Sequence, residues 1–144
     1  MSQHRGALIA PQSVFVDTSA FKAVADTRDR YHRRALEVQG RLAQGNWGLY
    51  TSNLVVAEAH ALILNRLGHG QALAFLELMD RRPAAIVWVD EAIHDDATAL
   101  IRRYEDKDFS LTDATSFVIM ERLGLRTAFA FDADFLRYGF TILS

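Results

Sequence analysis

The chain of 144 residues contains no cysteine, so disulfide bonds, thiolate metal sites and cysteine nucleophiles are all excluded. It also lacks any apolar run that approaches the roughly 18 residues needed to span a membrane. The first residues, MSQHRGALIAPQS, show neither the apolar core nor the small-residue cleavage pattern of a signal peptide. These absences lead us to expect a cytoplasmic protein with no membrane partner.

Net charge and composition exclude fewer classes of function than these absences do. The net charge of −2 is too small to indicate a partner. Half of the residues are hydrophobic, which is the balance of an ordinary globular domain. No internal repeat, linker or low-complexity segment divides the chain, and its length fits one domain.

Short apolar runs alternate with segments of helical periodicity along the chain. The predicted strands are 13–16, 47–50, 84–89, 126–131 and 140–143. The predicted helices are 18–25, 29–44, one that is capped at 51–53 and ended by Gly68, 69–80, 91–104, 110–123 and 132–137. Such alternation predicts an α/β fold in which a parallel sheet carries helices on both faces. Sheets of this kind bind ligands at the carboxyl ends of their strands.

Three aspartates stand where a helix begins. Asp17 and Asp132 follow predicted strands, and Asp113 lies three residues after Ser110, as in a capping box. Helix capping is a sufficient explanation for each of them taken alone. Strand ends and helix starts are also where such a sheet places its ligands.

Glu58 differs, because it lies in the apolar helix segment NLVVAEAHALI with no cation within one turn. A helix that is apolar nearly all round is expected to be buried on most faces. A buried, ionised carboxylate must pair, neutralise or bind a metal. A distant arginine such as Arg66 or Arg103 would satisfy it; otherwise Glu58 faces a site that it shares with other groups.

We expect these four acids to converge. Clustered carboxylates repel one another and need a cation at neutral pH. An oxygen-only site in a chain without cysteine selects a hard ion, Mg²⁺ or Mn²⁺. Such ions serve phosphate chemistry, where they activate water and stabilise the leaving oxygen.

Four segments together resemble the acidic motifs of PIN-domain nucleases: VFVDTSAF, NLVVAEAHALI, FSLTDATSFVIMERLG and AFAFDADFLRYGF. The VapC-type toxins of bacterial toxin–antitoxin pairs are the most similar subgroup. The resemblance runs from about Ser13 to the C-terminus. It implies a three-layer α/β/α domain over 13–144, with a central and mainly parallel sheet of four to five strands.

The resemblance also implies a function and a site. It implies an Mg²⁺- or Mn²⁺-dependent ribonuclease that forms a homodimer and is inhibited by a cognate antitoxin. Carried over by motif position, the catalytic and metal-binding acids are Asp17, Glu58, Asp113 and Asp132. Asp134 is an additional metal ligand or simply part of its helix. Ser19 and Thr112 either orient water or a carboxylate, or cap helices.

The N-terminus departs from the family pattern, because members usually begin almost at the first strand. Residues 1–12 are therefore expected to be an extension: a disordered segment, a tag remnant or the product of an upstream start.

The densest basic stretch, RDRYHRR, offers Arg30, Arg33 and Arg34 on one predicted helix face. They are either a solvated face or contacts to RNA phosphates. The apolar surplus of 54–64 and 72–79 is either core or a surface for a dimer or antitoxin.

Other functions fit less well. A housekeeping RNA-processing PIN nuclease would share every motif, and only an antitoxin-like reading frame nearby would separate it from a toxin. A receiver domain would need paired acids after the first strand and a lysine after the last, and no lysine follows Phe131. An aspartyl phosphatase would need an acid where Ser19 stands, and the intact quartet argues against an inactive binding domain.

Overall fold

Strands and helices alternate through residues 12–144, the part of the chain that the computed structural model describes. The strands are β1 (Ser13–Val16), β2 (Gly48–Ser52), β3 (Ala85–Val87), β4 (Thr127–Phe129) and β5 (Thr141–Leu143). The helices are α1 (Thr18–Ala25), α2 (His32–Gln44), α3 (Asn53–Leu67), α4 (His69–Asp80), α5 (Glu91–Arg103), α6 (Leu111–Leu123) and α7 (Asp134–Tyr138). The expectation of an N-terminal extension concerns residues that, apart from Gln12, lie outside this range.

All five strands form one parallel sheet in the order β3-β2-β1-β4-β5. β1 is central and pairs with β2 through Val14 and Leu49, and with β4 through Val16 and Phe129. The chain therefore builds one half of the sheet outward from β1, then crosses to the other side of β1 for β4 and β5. The expected parallel sheet of four to five strands is confirmed.

Helices cover both faces of the sheet, which gives three layers. Because successive side chains of a strand point to opposite faces, β1 serves two cores. Phe15 packs in a core with residues of α5 and α6, whereas Val14 and Val16 pack in another with residues of α1 and α2. A third cluster joins α3 and α4 through Ile63, Phe75 and their neighbours.

The start of α2 differs from the sequence prediction. The helix begins at His32 rather than residue 29, because two aspartates turn the backbone before it. Asp26 Oδ1 accepts a hydrogen bond from Arg28 N at 2.9 Å, and Asp29 Oδ1 accepts one from Tyr31 N at 2.8 Å. Such local bonds compete with helix formation. Arg30 consequently lies in a turn, so it does not share a helix face with Arg33 and Arg34.

Other boundaries follow local chemistry. Ser52, one of the three candidates at 51–53, caps α3. Ser110 caps α6 with a full capping box, as its spacing to Asp113 predicts. β4 is shorter than predicted, and α7 begins at Asp134 because Asp132 Oδ1 accepts a hydrogen bond from Asp134 N at 2.8 Å. None of the helices in residues 12–144 is long and apolar enough to cross a membrane.

Candidate active site

The site lies where the strand order reverses. β2 continues the chain on one side of β1 and β4 pairs on its other side, so a crevice opens at their carboxyl ends. Asp17 follows β1 directly, and Asp132 lies three residues beyond β4. A cleft of about 430 Å³ opens there, lined by both of these aspartates together with Glu58 and Asp113.

Asp17 is the most deeply buried of the four acids, with 3% of its surface exposed. It is the N-cap of α1, where its Oδ2 accepts hydrogen bonds from Ser19 N at 3.1 Å and from Ser19 Oγ at 2.6 Å. Burial raises the pKa of Asp17 to about 6, and the charge of Asp132 adds to the rise, although the Ser19 hydrogen bonds oppose it. Capping and a place in the cleft are therefore compatible for this residue.

Asp113 also combines a capping role with a place in the cleft. Its backbone N–H donates to Ser110 Oγ at 3.0 Å, and its Oδ2 accepts from Ser110 N at 3.3 Å. Burial, followed by the charge of Asp132, raises the pKa of Asp113 to about 7. No cation offsets this charge in the described part of the chain, where none of the ion pairs involves Asp113.

Asp132 and Asp134 complete a close group with Asp113. One carboxylate oxygen from each of the three lies within 4.8 Å of the others. Burial raises the pKa of Asp132, and the charge of Asp134 adds to the rise. Asp134 differs from the other two because it pairs with Arg137 at 2.7 Å.

Glu58 lies in the cleft but is not buried, which corrects the premise drawn from its apolar helix. The side chain is exposed, and its Oε1 accepts a hydrogen bond from Thr18 Oγ1 at 2.7 Å. Within residues 12–144 it forms no ion pair, so neither Arg66 nor Arg103 is its partner. The sequence of α3 is apolar although the helix is not buried on most faces, because some of its leucines lie exposed at a surface that it shares with α4.

The donor set fits a hard divalent cation. Asp17, Asp113 and Asp132 offer only oxygen ligands, and burial together with the charge of a neighbouring aspartate raises the pKa of each. Carboxylate oxygens are the ligands that Mg²⁺ and Mn²⁺ prefer. Asp113 and Asp132, with Asp17, Glu58 and Asp134 around them, are the residues that could hold such an ion.

The remaining sequence candidates divide between the cleft and the surface. Ser19 lines the cleft and connects Asp17 to the backbone N–H of Phe131, which donates to Ser19 Oγ at 2.9 Å. Thr112 does not line it; its carbonyl accepts hydrogen bonds from Ser116 Oγ and Thr115 Oγ1 inside α6. Arg33 is exposed on α2.

Sequence reasoning assigned no place in the cleft to seven residues that line it. They are Thr18, Lys22, Asp29, Tyr31, Leu62, Ser110 and Phe131. The sequence did contain a signal for Lys22, because it lies one helical turn after Thr18 and therefore on the same face of α1. Its Nζ pairs with Asp29 Oδ2 at 2.6 Å and Asp26 Oδ2 at 3.5 Å. No sequence signal indicated Tyr31, because it is the turn at Asp29 that positions this residue at the cleft.

Comparison with known proteins identifies the family. The family model described as "PIN domain" matches residues 14–141. The chain belongs to the PIN-domain family. The resemblance noted in its four acidic segments is thereby confirmed.

Relatives of this PIN domain are VapC proteins. It is 32% identical over 127 residues to the "23S rRNA-specific endonuclease VapC20" of Mycobacterium tuberculosis, from both strain CDC 1551 and strain H37Rv. The match covers 88% of this chain and 95% of the relative.

Solved structures agree in fold. The crystal structure of M. tuberculosis VapC20, described as a sarcin-ricin loop cleaving toxin, matches with a TM-score of 0.81 at 31% identity. That match covers 89% of this chain and 96% of VapC20. FitAcB from Neisseria gonorrhoeae matches with a TM-score of 0.65 at 16% identity, over 91% and 96% of the two chains, which is a likeness of fold alone.

Proposed function

We propose that this PIN-domain protein is a divalent-metal-dependent endoribonuclease and the toxin of a type II toxin–antitoxin pair. The observation that carries the proposal is the convergence of Asp17, Glu58, Asp113 and Asp132 in one cleft from four separate segments. The relationship to VapC20 supports a toxin over a housekeeping nuclease.

The four acids and Asp134 would hold Mg²⁺ or Mn²⁺. When bound, the ion supplies an activated water for attack on the phosphodiester and stabilises the charge of the leaving oxygen. The chain's own part is to fix the carboxylates. Ser19 donates to Asp17, and Thr18 donates to Glu58, so neighbouring residues of α1 orient acids from two different elements.

RNA is the proposed substrate, and 23S rRNA is the first target to test because the VapC20 relative is named for cleaving it. The proposed protein partners are a cognate antitoxin and a second copy of the chain. Leucines exposed on α3 and α4 support a protein-binding surface: Leu62, Leu64, Leu73 and Leu78.

An RNase assay with purified protein and Mg²⁺ or Mn²⁺, with and without EDTA, tests the proposal. Asp17→Asn and Glu58→Gln should each lower the cleavage rate by roughly a hundredfold or more, since even an indirect partner of a metal ligand is worth 10- to 100-fold. Asp95→Asn and Glu77→Gln make the same chemical changes at exposed positions outside the cleft and should cleave like wild type. Full activity in EDTA would exclude the metal-dependent mechanism.

A further inference from the structure

A stack of two aromatic rings and two guanidinium groups stands beside the acids. The rings of Tyr31 and Phe131 lie parallel, with centroids 4.7 Å apart and planes 11° apart. The guanidinium of Arg30 lies over the Tyr31 ring at 4.9 Å, and that of Arg34 lies 5.4 Å from Tyr31 and 5.7 Å from Phe131. We call these four residues the aromatic platform. Tyr31 and Phe131 line the same cleft as the acids.

The platform is fixed relative to the acids by hydrogen bonds. Phe131 directly precedes Asp132, and its N–H donates to the Ser19 hydroxyl that in turn donates to Asp17. On the other side, Tyr31 N donates to Asp29 Oδ1, while Asp29 Oδ2 pairs with Lys22. The rings are therefore held at a set position beside the acids before any ligand arrives.

Core packing accounts for only part of the platform. Both rings are half-buried against the cluster formed by α1, α2 and β1, which explains why they are apolar. It does not explain the two arginines, which pair with no carboxylate in the described part of the chain. Arg34 makes one hydrogen bond, to Ser144 Oγ at 3.3 Å, and Arg30 is exposed. Two cations without acidic partners in the described part of the chain thus lie against the two rings that line the acidic cleft.

This arrangement has the chemistry that binds an unpaired nucleotide. Bases of single-stranded RNA stack on aromatic rings and on guanidinium planes, and arginines bind the adjacent phosphates. The stacking surface tolerates different bases because every base has a π-face. Arginine charge against the rings also offsets part of the repulsion that the carboxylates exert on an RNA backbone.

We propose that the aromatic platform stacks one unpaired nucleobase of the RNA substrate next to the phosphodiester that is cleaved. The inference rests on the proposed ribonuclease function and adds to it a requirement for an unpaired base at a set distance from the cut. It assigns Tyr31 and Phe131 as substrate-positioning residues, with Arg30 and Arg34 on the flanking backbone.

The test combines a Tyr31 variant with a modified RNA. A cleavable ribo-oligonucleotide is made in versions that carry an abasic nucleotide at successive positions around the cut. We expect wild-type cleavage to fall roughly tenfold or more for one position only, the value expected for losing one stacked base. Tyr31→Leu, which keeps apolar volume but cannot stack, should cause a similar loss in kcat/KM on the intact RNA.

The decisive comparison is non-additivity. Tyr31→Leu and the sensitive abasic position should together cost no more than either alone, because both remove the same contact. Tyr31→Phe should stay within about twofold of wild type. Trp88→Leu removes an aromatic ring that is 65% exposed away from the cleft and should change nothing.

Three results would overturn the platform: no abasic position matters, Tyr31→Leu cleaves normally, or the two losses multiply, as they would if Tyr31 only supported the fold. A platform that serves a protein partner instead would give the second result. If wild-type protein cleaves no RNA, the proposed function fails. Binding of the same oligonucleotide, measured by fluorescence anisotropy, then tests whether the aromatic platform binds RNA. Weaker binding by Tyr31→Leu than by Tyr31→Phe supports the platform, and equal binding refutes it.

Discussion

The hydroxyl of Ser19 connects the two halves of the cleft. It donates to Asp17 Oδ2 at 2.6 Å and accepts from the N–H of Phe131 at 2.9 Å. One small side chain therefore orients a carboxylate at the end of β1 and holds the segment that leads from β4 to Asp132. Its hydrogen bonds to Asp17 also oppose the rise in the pKa of that group.

We predict that Ser19→Ala reduces metal-dependent cleavage by roughly 10- to 100-fold, the range typical of a residue that orients a metal ligand. The variant should also bind Mn²⁺ more weakly, because Asp17 loses a donor that favours its ionised form. Cleavage kinetics and Mn²⁺ titration calorimetry measure the two effects. Ser19→Thr keeps the hydroxyl and should recover most of the activity. A fully active Ser19→Ala would show that the hydroxyl does not position Asp17.

The raised pKa of Asp113 makes the ion-free stability of the protein depend on pH. Its folded pKa is about 7 against an ordinary value of 3.8, so between these values the folded state holds a proton that the unfolded state has lost. The stability that this proton contributes is complete below about pH 4 and is lost as the pH rises through about 7. Above that range the cleft keeps an uncompensated charge.

We predict that Asp113→Asn raises the melting temperature in EDTA by roughly 3 °C or more at pH 8, because the charge is gone. At pH 5 the difference should be clearly smaller, because folded Asp113 is then protonated and only the ionisation of the unfolded state still favours the variant. Calorimetry in EDTA at both pH values measures the difference, and Asp95→Asn, an exposed position on α5, should show no such dependence. An equal effect at both pH values would mean that Asp113 is not destabilised by its charge.

At the scale of elements, the turn between α1 and α2 supports the cleft. Asp29 accepts from Tyr31 N through one oxygen and pairs with Lys22 of α1 through the other. These hydrogen bonds lower the pKa of Asp29, although burial alone would raise it. The turn thereby fixes the ring of Tyr31 beside Phe131.

We predict that Asp29→Ala lowers the free energy of unfolding by about 1–3 kcal/mol, the cost of losing hydrogen bonds to a charged group. Urea unfolding measures this value. Asp29→Asn keeps an acceptor for Tyr31 N but weakens the bond to Lys22, so it should fall between wild type and Asp29→Ala. Asp108→Ala, an exposed aspartate, should stay within about 0.5 kcal/mol of wild type. If Asp29→Ala has the same free energy of unfolding as wild type, the turn does not depend on the side chain of Asp29.

For the whole molecule, the surface of α3 and α4 is unusually apolar. Leu64, Leu73 and Leu78 are each more than 40% exposed, and the two helices pack on each other through a small cluster of their own. Exposed leucines grouped on one helix pair are typical of a surface that binds another protein. This is the surface that supports the proposed homodimer.

We predict that the double variant Leu64→Glu, Leu73→Glu shifts the protein from dimer to monomer, because two buried charges would be unpaired at an interface. Size-exclusion chromatography with light scattering measures the mass. Leu36→Glu changes a similarly exposed leucine on α2 and should leave the dimer intact. A wild-type monomer at micromolar concentration, or a dimeric double variant, would refute this surface as the dimer interface.

The sequence by itself determined the elements wherever the signal is local. An apolar run ending at a capping aspartate specified β1 and α1 to the residue, and the Ser110–Asp113 spacing specified the start of α6. Capping depends on residues within one turn of each other, so it can be read from neighbouring letters. The predicted start of α2 was wrong, because the side chains of Asp26 and Asp29 accept hydrogen bonds from nearby backbone N–H groups and form turns there.

Only the tertiary structure decided which side chains meet. The sheet order places β4 against β1, and that pairing brings Phe131 to Tyr31 and to Ser19, a hundred or more residues away in the chain. It also showed that Glu58 is exposed and bonded to Thr18, since the apolar side chains of α3 serve a surface as well as the core. Burial and contact between distant residues follow from how strands are ordered, and no local periodicity records that order.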